Sequence, residues 1–220
     1  MNYVISGEIP SKDLFMMCNK VNSDAFSDLP SGFHIRTCRR DELDIWKQMH
    51  LDFPHSPEQH AEYMQFMDSF YDRMYRIKED LFYKKSLFVC DEYNKPVGRG
   101  FIWKVYNRIN SIQWYKVLRE YEGRGIGRAL LTVMMKDLTN EDYPVYLHTH
   151  PSSFRAIKLY SDFGFCFVSD PVIGPRNNDI YECLPILEKY IPEKDFKKLK
   201  IIKASRELLE AASSSGMLEL

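Results

Sequence analysis

Apolar positions along this chain alternate between a period of two and a period near 3.6, and the changes of period mark out strands and helices. Near the N-terminus "YVIS" reads as a short strand, followed by a small helix from Ser11 and a loop ending at "LPSG". "FHIRTC" alternates as a strand does, and "RRDELDIWKQMH" puts Leu43, Trp46 and Met49 on one helix face. Pro54 and Pro57 interrupt "FPHSPEQH". Residues 57 to 77 then repeat Tyr63, Met67, Phe70, Met74 and Ile77 at helical spacing, flanked by Met64 and Tyr71. Three strand-like runs follow, "SLFVCD", "PVGRGFIWKVY" and "SIQWYKVL". Turns at Asn94-Lys95 and at Asn107 to Asn110 make them an antiparallel meander.

Beyond the meander, Ile126, Ala129, Leu130, Val133, Met134 and Leu138 form an amphipathic helical stripe. "PVYLHTH" is a buried-strand candidate. "SSFRAIKLYSDFG" is a helix with Ser152 or Ser153 as N-cap and Gly164 just past its end. "FCFVSD" and "DIYECL" read as the last strands. Residues 192 to 212 read as a charged amphipathic helix starting at Pro192, with "SSSGMLEL" as a frayed tail. The order predicts an α+β fold on a mixed, mostly antiparallel sheet with helices on both faces. The expected organisation is an N-terminal extension over 1–32, a main domain over 33–190, and a C-terminal helix and tail over 191–220.

Composition narrows the class. A chain of 220 residues with 45% hydrophobic and 28% charged residues can bury a core without disulfides. Its five cysteines are irregularly spaced with no C-x-x-C pair, which suggests reduced thiols and a cytoplasmic location. A net charge of -1 argues against nucleic acid as the main partner. No apolar run is long enough for a membrane span, and "MNYVISGEIP" lacks the features of a signal peptide.

The chemistry gathers at "REYEGRGIGRAL", where Gly123, Gly125 and Gly127 account for three of the chain's ten glycines. The segment joins a strand ending near Leu118 to a helix beginning near Gly125. A helix N-terminus carries unpaired N–H groups and partial positive charge. Removing side chains there lets an anion approach, and Arg124 and Arg128 add cations. This pattern suits a pyrophosphate. A Walker A loop is excluded because no Lys-Ser/Thr follows, and the dinucleotide fingerprint has a different glycine spacing and needs a parallel βαβ unit.

"VLREYEGRGIGRALL" resembles the acyl-CoA loop of the GNAT acetyltransferases, Q/R-x-x-G-x-G/A after a strand, and "SSFRAIKLYSDFGF" resembles that family's "NxxAIxLYxxxGF" helix. The resemblance runs over roughly residues 33 to 185. It implies a GNAT-like fold and a direct, ternary-complex transfer of acetyl from acetyl-CoA to an amine. Carried over residue by residue, it implies acetyl-CoA contacts at Val117, Leu118, Arg119, Glu122, Gly123, Arg124, Gly125, Ile126, Gly127, Arg128, Ser153 and Tyr160. Glu122 stands where Gln or Arg is usual, and Ser153 where Asn is usual. Tyr160, in the family's "LY" pair, is the implied general acid for the leaving thiolate. The alternative on the same fold is a non-catalytic acyl-CoA-binding module.

The base is less evident. Alternation puts Ser111, Gln113, Tyr115 and Val117 on one strand face, and none of them is a base. Tyr146, His148 and His150 share a face of the next strand, and His150, nearer its end, is the candidate base or water anchor. Glu120 is a weaker candidate. The H-x-H pair lacks an evident third ligand, so no metal is expected. His50, His55 and His60 look incidental. Residues 57 to 77, rich in aromatic and thioether groups, are either core or the lining of an acceptor pocket. The C-terminal helix is expected to pack on its own domain or on a second copy of the chain, as a homodimer, rather than on a membrane.

Overall fold

The computed structural model describes residues 9–214. The "YVIS" strand and the last residues of the expected tail fall outside the described residues. The fold is α+β, on a large, mostly antiparallel sheet with accompanying helices. The chain divides into two compact units, and the strands Pro96–Val105 (β4) and Ile109–Val117 (β5) each contribute residues to both.

The first unit comprises the described parts of 1–25, 104–112 and 138–220. Its sheet order is Ile201–Ile202 (β10), Cys166–Val168 (β7), Leu14–Cys18 (β1), Val145–Thr149 (β6), then the start of β5. The small helix expected from Ser11 does not form. "LFMMC" is instead a strand buried at every position, antiparallel to both β6 and β7. A short, wholly apolar run has no period, so burial on both faces decides its state. "DIYECL", expected as a strand, opens the helix Ile180–Tyr190 (α6), which buries Ile180, Cys183 and Leu187. The single helix expected over 192–212 is broken into Glu193–Phe196 (α7), β10 and Arg206–Ser214 (α8). β10 pairs in parallel with β7, so this segment completes the sheet edge. A short hairpin, Val172–Ile173 (β8) with Arg176–Asn177 (β9), precedes α6. The helix Phe154–Asp162 (α5) forms where periodicity places it.

The second unit comprises 26–103 and 113–137. Its strands are His34–Thr37 (β2), Leu87–Cys90 (β3), β4 and the end of β5, in the order β2-β3-β4-β5. Its helices are Leu43–Gln48 (α1), Pro57–Met74 (α2), Glu79–Lys85 (α3) and Ile126–Met135 (α4). α2 is capped at both sequence-coded positions: the Ser56 hydroxyl accepts from Gln59 N–H, the Gln59 side chain returns a bond to Ser56 N–H, and Pro57 leads the helix. Trp46 is fully buried, ringed by Tyr71, Tyr75, Phe82, Phe101 and Trp114. The aromatic density of residues 57 to 77 is therefore partly core: Met67, Tyr71 and Tyr75 are buried, while Phe66 is 52% exposed.

Candidate functional site

β5 ends at Val117, a 3-10 turn covers Arg119–Tyr121, and α4 starts at Ile126. Between them Gly123 has φ +78° and Gly125 φ +85°. Both lie in the left-handed region, where an L side chain costs about 1–2 kcal/mol. Gly125 is the N-cap of α4, and Gly127 lies in its first turn. Three N–H groups of that turn cannot bond within the helix and carry its partial positive charge.

The start of the loop is tied down by a residue that sequence reasoning missed. Asp52, between α1 and α2, accepts Arg119 N–H at Oδ2 (2.8 Å) and lies 3.0 Å from Lys116 Nζ. Leu118 N–H donates to Val97 O (2.9 Å). Thus two of the main-chain donors expected to meet the cofactor, at Leu118 and Arg119, are engaged within the unit. Strand alternation turns the N–H and C=O of Val117 to the other edge of β5. The Arg124 side chain folds back, donating to Glu120 O (3.0 Å) over the Tyr121 ring. Glu122 is exposed and Arg128 half-buried.

Within β5 the expected strict alternation fails. Trp114 has φ +51°. As a result the neighbouring side chains of Gln113 and Trp114 reach the same group: Tyr75 hydroxyl donates to Gln113 Oε1 (3.2 Å), and Trp114 Nε1–H donates to Tyr75 oxygen (3.1 Å). A non-glycine residue held at positive φ inside a strand is strained and persists because its surroundings fix it.

Under α2, Arg99 on β4 is wholly buried, with its guanidinium 4.4 Å from the Trp46 ring centre and 5.3 Å from that of Trp114. Its Nη2 donates to His50 Nδ1 (2.6 Å). Burial, then the Arg99 and Lys116 cations, push the His50 pKa well below its ordinary range. His50 is therefore neutral near pH 7 and is part of this cluster, contrary to the expectation that it is incidental. His55 and His60 stack on each other. Two glycines bracket Arg99 because the strand packs tightly there. A Cβ on Gly98 would come 3.2 Å from Lys116 O, and one on Gly100 would come 3.1 Å from Met134 Sδ. The "GRG" triplet, a charge between two side-chain-free positions in an apolar strand, was the signal available in the sequence.

The first unit holds the other expected residues. Tyr160 is 5% exposed on α5, and burial raises its phenol pKa, keeping the proton on. Ser153 occupies the N-cap position of α5 without a side-chain cap bond, and its N–H donates to His150 O (2.9 Å). His150 Nδ1 lies 2.8 Å from Lys12 O. A ring nitrogen facing a carbonyl must carry the hydrogen, so the lone pair is on Nε2. His148 Nε2 is 2.7 Å from Asp13 Oδ1, and Arg176 Nη1 is 3.1 Å from that oxygen and 2.9 Å from His148 Nε2. Burial, then Arg176 and His150, lower His148 to about 4 despite the opposing carboxylate.

The expectation that nothing supplies a third ligand to the H-x-H pair is corrected. Ligand atoms of Asp13, His148 and His150 lie within 4.8 Å of one another. The Arg176 guanidinium already stands among these atoms as their cation, so the group is a closed ion-pair network. All five cysteines are free thiols. Among the described residues no helix is long and apolar enough to cross a membrane.

The chain matches the acetyltransferase (GNAT) family over residues 45–165, more than half its length, and belongs to that family. It is similar to a mycothiol acetyltransferase of Streptomyces griseus, 29% identical over 143 residues, covering 62% of this chain and 44% of that protein. The chain thus spans less than half of that relative's length. Among solved structures it is similar to a GNAT-family acetyltransferase from Colwellia psychrerythraea (15% identity, TM-score 0.49, covering 72% of this chain and 53% of that one). It is also similar to a GCN5-related N-acetyltransferase from Sphaerobacter thermophilus (19% identity, TM-score 0.44, covering 64% and 43%).

Proposed function

We propose that this protein transfers an acetyl group from acetyl-CoA to a primary amine of a small-molecule acceptor by direct attack in a ternary complex, in the cytoplasm. The observation that carries the reading is the left-handed pair Gly123 and Gly125 opening α4 within the region matched to the GNAT family. The first-turn N–H groups around Ile126, Gly127 and Arg128 suit the pyrophosphate, and main-chain groups of Val117 suit the pantetheine arm or the developing oxyanion. Arg124 and Arg128 are the nearby cations.

The reaction also needs a free amine and a proton for the thiolate. An alkylammonium of pKa near 10.4 is neutral in about one part in 2,500 at pH 7, so deprotonation costs about 4.6 kcal/mol. His150 supplies a lone pair at Nε2 for that step, directly or through water. Tyr160 supplies the thiolate's proton, and its raised pKa keeps it protonated until the sulfur takes on charge. No step requires a metal.

The test is thiol release from acetyl-CoA across an amine panel. Tyr160→Phe should lower turnover by about 100-fold with little change in CoA affinity. Unchanged turnover removes Tyr160 from the mechanism. A protein that binds acetyl-CoA and turns over no amine in the panel is instead the non-catalytic acyl-CoA-binding module.

A further inference from the structure

Within the second unit, most buried charges are matched. The Glu42 carboxylate receives two bonds from Arg36 and two from Arg39, one of these from its main-chain N–H, and Lys47 meets Asp68 at 2.6 Å. Arg99 is not matched. Its side chain has no exposure, and the described ion pairs give it no carboxylate; its Nε and Nη1 have no hydrogen-bond partner. Asp52, at the start of the glycine loop, serves Lys116 and Arg119. The Tyr63 hydroxyl is likewise buried, and its oxygen faces the guanidinium, leaving its own O–H to donate. Burial lowers the Arg99 pKa to about 10, which leaves it charged at neutral pH. A buried cation with no carboxylate beside it is costly unless an anion compensates it.

We propose that Arg99, with the Tyr63 hydroxyl as second donor, is a carboxylate-binding subsite, and that the acceptor is an amine that also bears a carboxylate, as an amino acid does. The word acceptor rests on the transferase reading above; the subsite does not. Guanidinium N–H groups and a hydroxyl are donors suited to a carboxylate, and a neutral His50 with Nδ1 already accepting from Arg99 does not compete for them. The surroundings also describe the rest of the ligand. Tyr63, His50 and Trp114 are partly exposed, so a ligand coming from solvent meets them before the guanidinium. Rings continue outward from Trp114 to Phe70 (5.1 Å between centres) and on to Phe66 (6.0 Å), which offers an apolar body an aromatic wall.

Trp46 and Trp114 flank the guanidinium, so their fluorescence reads the subsite directly, without turnover. The probes are N-acetylleucine and N-acetylleucinamide, which differ only in carboxylate against amide. The acid should give a saturable change and bind about tenfold or more tighter than the amide. Arg99→Met should abolish that discrimination. Should that variant not fold, Tyr63→Phe, which keeps the cation, should weaken acid binding several-fold and leave amide binding alone. Equal response to acid and amide, or no saturable response to either, in folded wild type overturns the proposal. Acid-specific binding in a protein that acetylates nothing keeps the subsite and removes the transferase reading. Acetylation of amines with no acid-specific response does the reverse.

Discussion

Each unit of this protein sets an arginine against a histidine, and the two pairs are completed differently. In the first unit Arg176 meets His148 beside Asp13, so cation, ring and carboxylate satisfy one another. In the second, Arg99 meets His50 between two tryptophan rings, with no carboxylate among its ion pairs. The first arrangement is complete in the protein alone and ties the N-terminal segment to β6. The second holds an unshared charge, which is expensive for folding and useful for recognition. The contrast separates a structural network from a candidate ligand site more sharply than histidine content or sequence position does.

The largest expected difference between the two pairs comes from removing the cation in each. Arg176→Met leaves the partly exposed Asp13 carboxylate with His148 as its remaining partner and should cost about 1.5 kcal/mol in urea unfolding, since a bond to a charged group is lost. Arg99→Met replaces an unmatched buried charge with an apolar chain and should change stability by less than about 1 kcal/mol, in either direction. A reversed order breaks the comparison.

The next effect is on pH dependence. Both histidines have folded pKa values below the ordinary 6.5, His148 at about 4 and His50 well down. Between pH 6.5 and 4 the unfolded chain therefore binds protons that the folded protein does not. Stability is complete above pH 6.5 and falls as pH drops through that window, by up to about 1.4 kcal/mol per pH unit for each histidine. His148→Gln and His50→Gln should each flatten urea midpoints measured from pH 7 down to 5. An unchanged slope in either variant removes that ring from the account.

A smaller effect comes from the hydroxyl. Tyr63→Phe removes a hydroxyl whose polar neighbour is the Arg99 guanidinium alone, so without ligand it should shift stability by no more than about 1 kcal/mol. A larger loss indicates that the hydroxyl is satisfied in the folded protein and does not wait for a ligand.

The glycine loop, α4 and α5 were legible because each carries its own local signal. The loop has glycines where φ must be positive, and the helices have apolar stripes at the right period. "DIYECL" is expected as a strand because six residues are too few to separate a strand from a helix. Its buried set Ile180, Cys183 and Leu187 is complete only over the longer window of α6, and Pro185 within that window argues against a helix. α3 went unseen, its "EDLFYKK" burying only Phe82. Asp13, Asp52 and Arg99 had no local signal strong enough to single them out. Their partners are His148, Arg119 and His50, far away in sequence, and only the fold brings them together. The bend at Trp114 was invisible for the same reason, since it depends on what surrounds the ring.

The position of β1 has a consequence for biosynthesis. Leu14 to Cys18 is made well before its neighbours on both sides, since β6 and β7 lie more than a hundred residues later in the sequence. Until then five consecutive apolar residues have no partner strand. Folding of the first unit must wait until those later strands have been made, and a nascent chain halted before Val145 would expose a sticky ribbon that chaperones must shield.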